Sequence, residues 1–350
     1  MARQFGGLVM GVVAAAALCV LFALIWLWWR IDRPIALPRP RGPHAVGRQL
    51  FDWVDGRRGR ELMVFLWYPA EPGSTHAPAE YVPGRWGQLA AQGMFPLPAR
   101  RIQQIRVSAT ERAPILAGRH PLVVLLPAMG RIATDYTTLA EDLASFGYMV
   151  AGVTPTGSAR VVVFSDGRVV RGTDGVDLAH RDQAQWLVDR WVGDSAFVLD
   201  RLSGEPELWT HVDANRIGVF GHSFGGAAAM HALRRDRRFQ RGANLDGAPQ
   251  GAEVSGLDRP LLIVFGAPLP PPLRELNDRI WAESKRICES DASGCRWEYF
   301  PEAGHMNFSD AGVLPSRFPV PRSRLDLTRI DGPAFLRRVS DLLREFFDGM

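Results

Sequence analysis

A serine sits among glycines in Gly221-His222-Ser223-Phe224-Gly225-Gly226, between an apolar run at 216–220 (RIGVF) and a stretch of small residues opening at Ala227. This is the G-x-S-x-G pattern in the context that gives it meaning, with a strand before it and a helix after it. A serine on such a sharp turn has strained dihedrals, and the flanking glycines give the backbone room. The turn presents the hydroxyl at the carboxyl edge of a sheet. It also sets the next backbone N–H, that of Phe224, at a helix N-terminus where negative charge is favoured. The chemistry that fits is nucleophilic attack on a carbonyl carbon, and at neutral pH a hydroxyl needs a base to take its proton.

The chain has eight histidines. His44, His76 and His120 precede the central strands or sit in their loops, and His180 and His211 lie on or beside a long helix before the serine. His222 adjoins Ser223 and is expected to point elsewhere on the tight turn, and His231 falls inside the following helix. In a sheet of this kind the acid and then the base follow the nucleophile in the chain. Only His305, in Glu302-Ala303-Gly304-His305-Met306-Asn307-Phe308, lies in a loop beyond the last expected strand.

The acid falls between them. After the strand Leu261–Phe265, where it is usually found, the sequence is Gly-Ala-Pro-Leu-Pro-Pro-Pro and has no carboxylate. One strand earlier, Asn244-Leu245-Asp246-Gly247 places Asp246 at a strand end, with Asp258 and Glu302 as the alternatives. A carboxylate there would hold the His305 tautomer and stabilise the imidazolium as it forms. For the developing oxyanion, one donor is the Phe224 N–H, and the other is expected from Pro127-Ala128-Met129-Gly130, with Met129 the best candidate.

These groups need a scaffold. The run at 122–126 (LVVLL) reads as a strand buried on both faces of a parallel sheet. A helix at 133–146 ends at Gly147, a strand follows at 148–153, and Ser-Asp-Gly centres a hairpin in 158–172. A helix at 178–202 has apolar positions at Trp186, Leu187, Trp191, Phe197, Val198 and Leu202. Beyond the serine come a helix at 227–233, strands at 243–245 and Leu261–Phe265, a helix at 273–288, a strand at 296–300 and a closing helix at 333–347. Upstream, 61–68 (ELMVFLWY) reads as a strand, whereas 69–118, dense in Pro and Gly, reads as loops and a short helix. Strands alternating with helices imply an α/β fold with a mostly parallel sheet and helices on both faces. The division expected is an N-terminal membrane anchor at 1–30, a Pro/Arg-rich linker and first strand region at 31–59, and one α/β domain at 60–350.

The anchor reading rests on residues 5–29, which carry no charge and end in Trp26, Trp28 and Trp29 before Arg30. About 20 apolar residues span a bilayer as a helix, and tryptophans collect at the headgroups. Nothing like an Ala-x-Ala cleavage site follows, which favours a retained segment over a cleaved signal. Arg30, Arg33, Arg39 and Arg41 after the segment pull the domain toward the cytoplasm. The pair Cys288 and Cys295, set around Glu-Ser-Asp-Ala-Ser-Gly, is a disulfide candidate and argues for an extracytoplasmic domain, which is the side favoured. The net charge of +4 comes from 41 basic and 37 acidic residues spread through 350, with no basic run among aromatics, so nucleic acid is not an expected partner.

With these residues placed, the stretch 61–308 resembles the platelet-activating factor acetylhydrolase family, including its bacterial members. The resemblance is carried by GHSFGG at 221–226, by LDG at 245–247, which sets Asp246 23 residues after Ser223, and by His-x-Asn-Phe-x-Asp at 305–310. It implies the α/β-hydrolase fold, hydrolysis of short or oxidised acyl groups without calcium, no metal or other cofactor, and Met129 as the second oxyanion donor. The chain departs from the family pattern at Pro127-Ala128, where members commonly carry His-Gly. Related lipases and polyester hydrolases share these features, so a broad carboxylesterase remains open. So does a membrane-tethered binding module on a hydrolase fold, since fold alone does not fix function.

Overall fold

The computed structural model describes residues 15–23, 25–26, 35–84, 86, 89, 102–175, 180–251, 254, 256–290, 294–314 and 326–350. The chain divides into two units, Met1–Ile35 and Ala36–Met350. In the first, the described residues 15–23 and 25–26 are helical. The expected membrane segment lies largely outside the described residues, and among those described no helix is long and apolar enough to cross a membrane.

The second unit is built on a ten-stranded sheet. Its strands are β1 (Ala45–Asp55), β2 (Arg60–Ala70), β3 (Pro78–Glu80), β4 (Arg106–Glu111), β5 (His120–Leu126), β6 (Met149–Thr154), β9 (Val212–His222), β10 (Arg241–Leu245), β11 (Leu261–Phe265) and β12 (Cys295–Tyr299). The spatial order is β12-β11-β10-β9-β5-β6-β2-β1-β4-β3. From β12 to β6 every neighbouring pair is parallel, and β2 joins antiparallel to β6. The central strands are continuous apolar runs because helices cover both faces: all of β5 and β11 is buried. The hairpin expected in 158–172 forms a separate two-stranded sheet, β7 (Val161–Val163) with β8 (Val169–Arg171).

The helices are α1 (Thr137–Ser145), entered through a 3-10 turn at Ala133–Tyr136, α2 (Arg181–Ser203), the short α3 (Pro206–Trp209), α4 (Phe224–Arg235), α5 (Arg274–Ser290) and α6 (Gly332–Asp348). Asp331 caps α6, its carboxylate accepting the Ala334 N–H at 2.9 Å.

Two expectations need correction. The stretch read as loops and a short helix contains β3 and β4, whose polar sequences PAE and RVSATE carry no apolar run and are set by pairing at the sheet edge. In α2 the core stripe runs through Ala184, Leu187, Val188 and Trp191, whereas Trp186 lies off it, half exposed, with the Arg190 guanidinium 5.1 Å from its ring.

Candidate active site

Ser223 stands between β9 and α4 with φ 57° and ψ −125°. That left-handed φ costs a side-chain-bearing residue, and here the surroundings impose it. The Ser223 N–H donates to the Leu245 carbonyl at 2.9 Å, tying the turn to the end of β10. A Cβ at Gly221 would stand 2.1 Å from the Gly225 carbonyl oxygen, and one at Gly225 would meet those of Leu126 and Pro127 at 2.3 Å. The glycines therefore let α4 start directly against the ends of β9 and β5.

Asp246, directly after β10, also has a positive φ of 53°. Its N–H donates to the Val264 carbonyl at 2.7 Å. One carboxylate oxygen accepts the Gly266 N–H at 2.8 Å, and the other lies 2.6 Å from His305 Nδ1. His305 Nε2 is 3.0 Å from Ser223 Oγ. The three residues thus form one hydrogen-bonded line, with Asp246 mostly shielded and the imidazole a third exposed. A proton on Nδ1 donated to the carboxylate leaves Nε2 free to accept from the hydroxyl.

The other carboxylates weighed in the sequence lie elsewhere. Asp258 pairs with Arg237 and Arg259 at the surface, and Glu302 pairs with Arg338. Of the remaining histidines, His120 bonds the Leu116 and Gly147 carbonyls and His231 bonds that of Gln250. His222 departs from expectation. It is fully buried, and its ring centroid lies 4.6 Å from that of His305. Burial, and then the neighbouring His305, hold its basicity well below the usual imidazole range.

Phe224 and Met129 both line the cavity that contains Ser223. In the loop after β5 the Ala128 N–H donates to Tyr136 Oη at 2.9 Å and the Gly130 N–H to the Ser158 carbonyl at 3.1 Å. Met129's amide, between them, is given to none of the described acceptors. The cavity is about 550 Å³, within the usual range for small-molecule sites. Its apolar wall includes Met129, Phe265, Leu269, Leu273, Ile280 and Trp281. Trp281 packs edge-on against Tyr299, with centroids 4.8 Å apart, and Cys288 of α5 is bonded to Cys295 of β12 behind this wall.

Donor atoms of His222, Asp246 and His305 all lie within 4.8 Å of one another. Asp246 and His305 are already hydrogen-bonded, and His222 Nδ1 faces the Tyr136 hydroxyl at 2.8 Å. A cation there would have to displace the contacts that orient the imidazole.

Sequence reasoning missed Tyr136, His222, Asn244 and the Gly266 amide as parts of this arrangement. Asn244 is fully buried, and its carbonyl oxygen accepts the Gly247 N–H at 2.9 Å, closing the turn that carries Asp246. The only signal for it was a polar residue inside an apolar strand.

Residues 193–264 match the family described as "Platelet-activating factor acetylhydrolase, isoform II", a stretch that contains Ser223 and Asp246. Among curated relatives, the "Probable 1-alkyl-2-acetylglycerophosphocholine esterase" of Arthroderma benhamiae is 27% identical over 248 residues, 64% of this chain and 62% of that protein. The "Platelet-activating factor acetylhydrolase" of Cavia porcellus is 24% identical over 262 residues, 65% of this chain and 60% of that protein. The chain thus spans about three fifths of the length of these relatives. Among solved structures, the ferulic acid esterase from Streptomyces cinnamoneus superposes with a TM-score of 0.76 at 30% identity, covering 91% of this chain and 94% of that one. Residues 193–264 are thus similar to the platelet-activating factor acetylhydrolase family, and nearly the whole chain is similar to a solved esterase structure.

Proposed function

We propose that the protein is a serine-dependent carboxylic ester hydrolase that cleaves short or oxidised acyl groups, those of phospholipids among them, through a Ser223 acyl-enzyme. The observation that carries this reading is the line from Ser223 Oγ to His305 to Asp246, at 3.0 and 2.6 Å, beside an apolar cavity. His305 Nε2 takes the hydroxyl proton as Oγ attacks the ester carbonyl carbon, and Asp246 stabilises the imidazolium. The Phe224 and Met129 amides receive the oxyanion, and losing one such donor typically costs about 100- to 1000-fold in kcat. The imidazolium then protonates the departing alkoxide. A water molecule, giving its proton to His305, attacks the acyl carbon and releases the carboxylic acid, and the same proton returns to Ser223. No step calls for a metal or other cofactor.

Residues 5–29 are assigned as the tether that holds the enzyme at a membrane. The Cys288–Cys295 bond supports an extracytoplasmic hydrolase domain, because such bonds persist in oxidising compartments. A broad carboxylesterase or polyester hydrolase is the second reading, favoured by the chain-long likeness to a ferulic acid esterase against partial coverage of the lipid-named relatives.

The test uses the full chain in detergent on p-nitrophenyl esters from acetyl to dodecanoyl, and on methyl ferulate, with Ser223→Ala alongside. Turnover that peaks at acetyl or butyryl and is lost in Ser223→Ala is the expected result. A peak at long chains or at the ferulate ester establishes the second reading. Folded protein inactive on every ester leaves the tethered binding module.

A further inference from the structure

Directly behind the Ser223–His305 pair runs a buried chain of hydrogen bonds that the mechanism above does not use. The Ala128 N–H donates to Tyr136 Oη at 2.9 Å, and that oxygen lies 2.8 Å from His222 Nδ1. Both side chains are fully buried. With the amide donating to its oxygen, the phenol has one proton to give, and Nδ1 is the acceptor beside it. In that arrangement His222 carries its proton on Nε2.

The chain joins three separate parts of the site. Ala128 immediately precedes Met129 in the loop after β5, His222 immediately precedes Ser223, and the His222 ring lies against those of His305 and Phe308, at 4.6 and 5.8 Å. Tyr136 holds the Ala128 N–H, one Cα away from the planar Ala128–Met129 peptide that carries the Met129 N–H. The carbonyl end of that peptide accepts the Arg131 N–H at 3.0 Å, and the Ala128 amide before it is held by Tyr136 alone among the described residues.

We propose that Tyr136 and His222 are positioning residues that aim the Met129 amide at the oxyanion and support the His305 ring from below. This rests on the ester-hydrolase reading of Ser223 and His305. The choice of a buried imidazole follows from the chemistry above it. His305 becomes positively charged in each half-reaction, and a second imidazolium 4.6 Å away would oppose that charge. Burial first, and the His305 charge next, keep His222 neutral, so it supports the ring without repelling it.

The decisive variant is Tyr136→Phe in the full chain, which keeps the ring and removes only the hydroxyl. It is assayed on p-nitrophenyl butyrate beside wild type and Ser223→Ala, with a boronic acid as the probe of the tetrahedral state. The expected result is a fall in kcat of about 10- to 100-fold with KM within about threefold, because only the transition state uses the aimed amide. Boronate affinity falls in proportion to kcat/KM. His222→Gln, which still offers an oxygen to Tyr136, is expected to retain more activity than His222→Leu, and to leave the acidic limb of the pH profile in place. A Tyr136→Phe kcat within about twofold of wild type overturns the inference, as does a lower kcat with unchanged boronate affinity, which would mark a merely structural role. Turnover persisting in Ser223→Ala instead overturns the underlying reading, so the two failures are distinguishable.

Discussion

Asp246→Asn tests the proposed orienting acid with little disturbance of the backbone, because asparagine tolerates the left-handed φ of 53° found there. The side chain has two partners: Gly266 N–H donates to one oxygen at 2.8 Å, and His305 Nδ1 faces the other at 2.6 Å. An asparagine that keeps its carbonyl on Gly266 turns its NH2 toward Nδ1. The imidazole must then carry its proton on Nε2, where it cannot accept from Ser223. Turning the amide over restores the tautomer but sets two donors face to face at Gly266, at a cost of about 1–3 kcal/mol. Loss of the negative charge facing the imidazolium adds about 1.5–3 kcal/mol. Together these give roughly 2.5–6 kcal/mol, or about 70- to 25,000-fold in kcat, a range that contains the roughly 10,000-fold loss known for this substitution in other serine triads. The assay is kcat and KM on p-nitrophenyl butyrate, with the melting transition as the control for folding. A folded Asp246→Asn protein within about tenfold of wild type would refute the assignment of the acid.

Asp310 ties the His305 loop to the start of α1, its two carboxylate oxygens accepting the Thr137 and Thr138 N–H groups at 3.0 and 3.1 Å. Burial, with Asp135 nearby adding to it, pushes this carboxyl up from 3.8 to about 8. The folded state therefore holds a proton that the unfolded state releases above about pH 4, so stability is full below that pH and falls as pH rises toward 8. Urea unfolding at pH 5, 6.5 and 8 should show the decline, and Asp310→Asn should be less stable at pH 5 with a shallower slope. Glu141, pushed up to about 7 by burial, contributes with the same sign and keeps the slope from vanishing. An unchanged slope in the variant would refute the argument. Gly226→Ala places a Cβ 2.0 Å from Asn244 Oδ1, which holds the turn carrying Asp246. A loss of about 2–4 kcal/mol and a more than tenfold lower kcat are expected. Gly56→Ala, with nothing within 4 Å, should melt as wild type. Equal melting of both variants would show that the turn adjusts freely.

The parts of the fold that were legible are those whose residues report their own surroundings. The runs in β5 and β11 are apolar at almost every position because both faces are covered, and the Ser223 turn is marked by glycines that nothing larger could replace. Asp246 was legible from its place at a strand end. β3 and β4 were not, because PAE and RVSATE become strands only through the neighbours they meet, β4 lying parallel to β1 and antiparallel to β3. Tyr136 was equally hidden. In the sequence it is one residue of an ordinary helical stretch, and its bond partner His222 is 86 positions away. For His222, adjacency to Ser223 suggested a ring turned away from the site. Its Nδ1 does bond Tyr136 rather than Ser223, but the His305 ring lies against the buried imidazole. Local spacing gives the direction of a side chain at best, never what a later loop lays on top of it.

Placing the acid after β10 has a consequence for the segment after β11. At that position a carboxylate would have to be held rigidly, but here Gly266 contributes only a backbone N–H to Asp246. The residues that follow, Pro268, Leu269 and Pro270, line the cavity, and Leu273, Ile280 and Trp281 continue the same wall into α5. The far end of α5 is bonded to β12 through Cys288 and Cys295, and Trp281 packs on Trp297 and Tyr299 of that strand. Most of the apolar wall is thus one continuous piece of chain, 267–281, braced from behind, with Met129 and Phe265 completing it, and 267–281 bears none of the three side chains of the proposed catalytic line. In the proposed mechanism, bond making rests on the ends of β9 and β10 and on the 305 loop, whereas acyl fit rests on this other segment. Gly266 and Ala267 are tied to Asp246 and Ala303 by backbone N–H groups, so in the proposed mechanism acyl fit is set by the side chains from Pro268 onward.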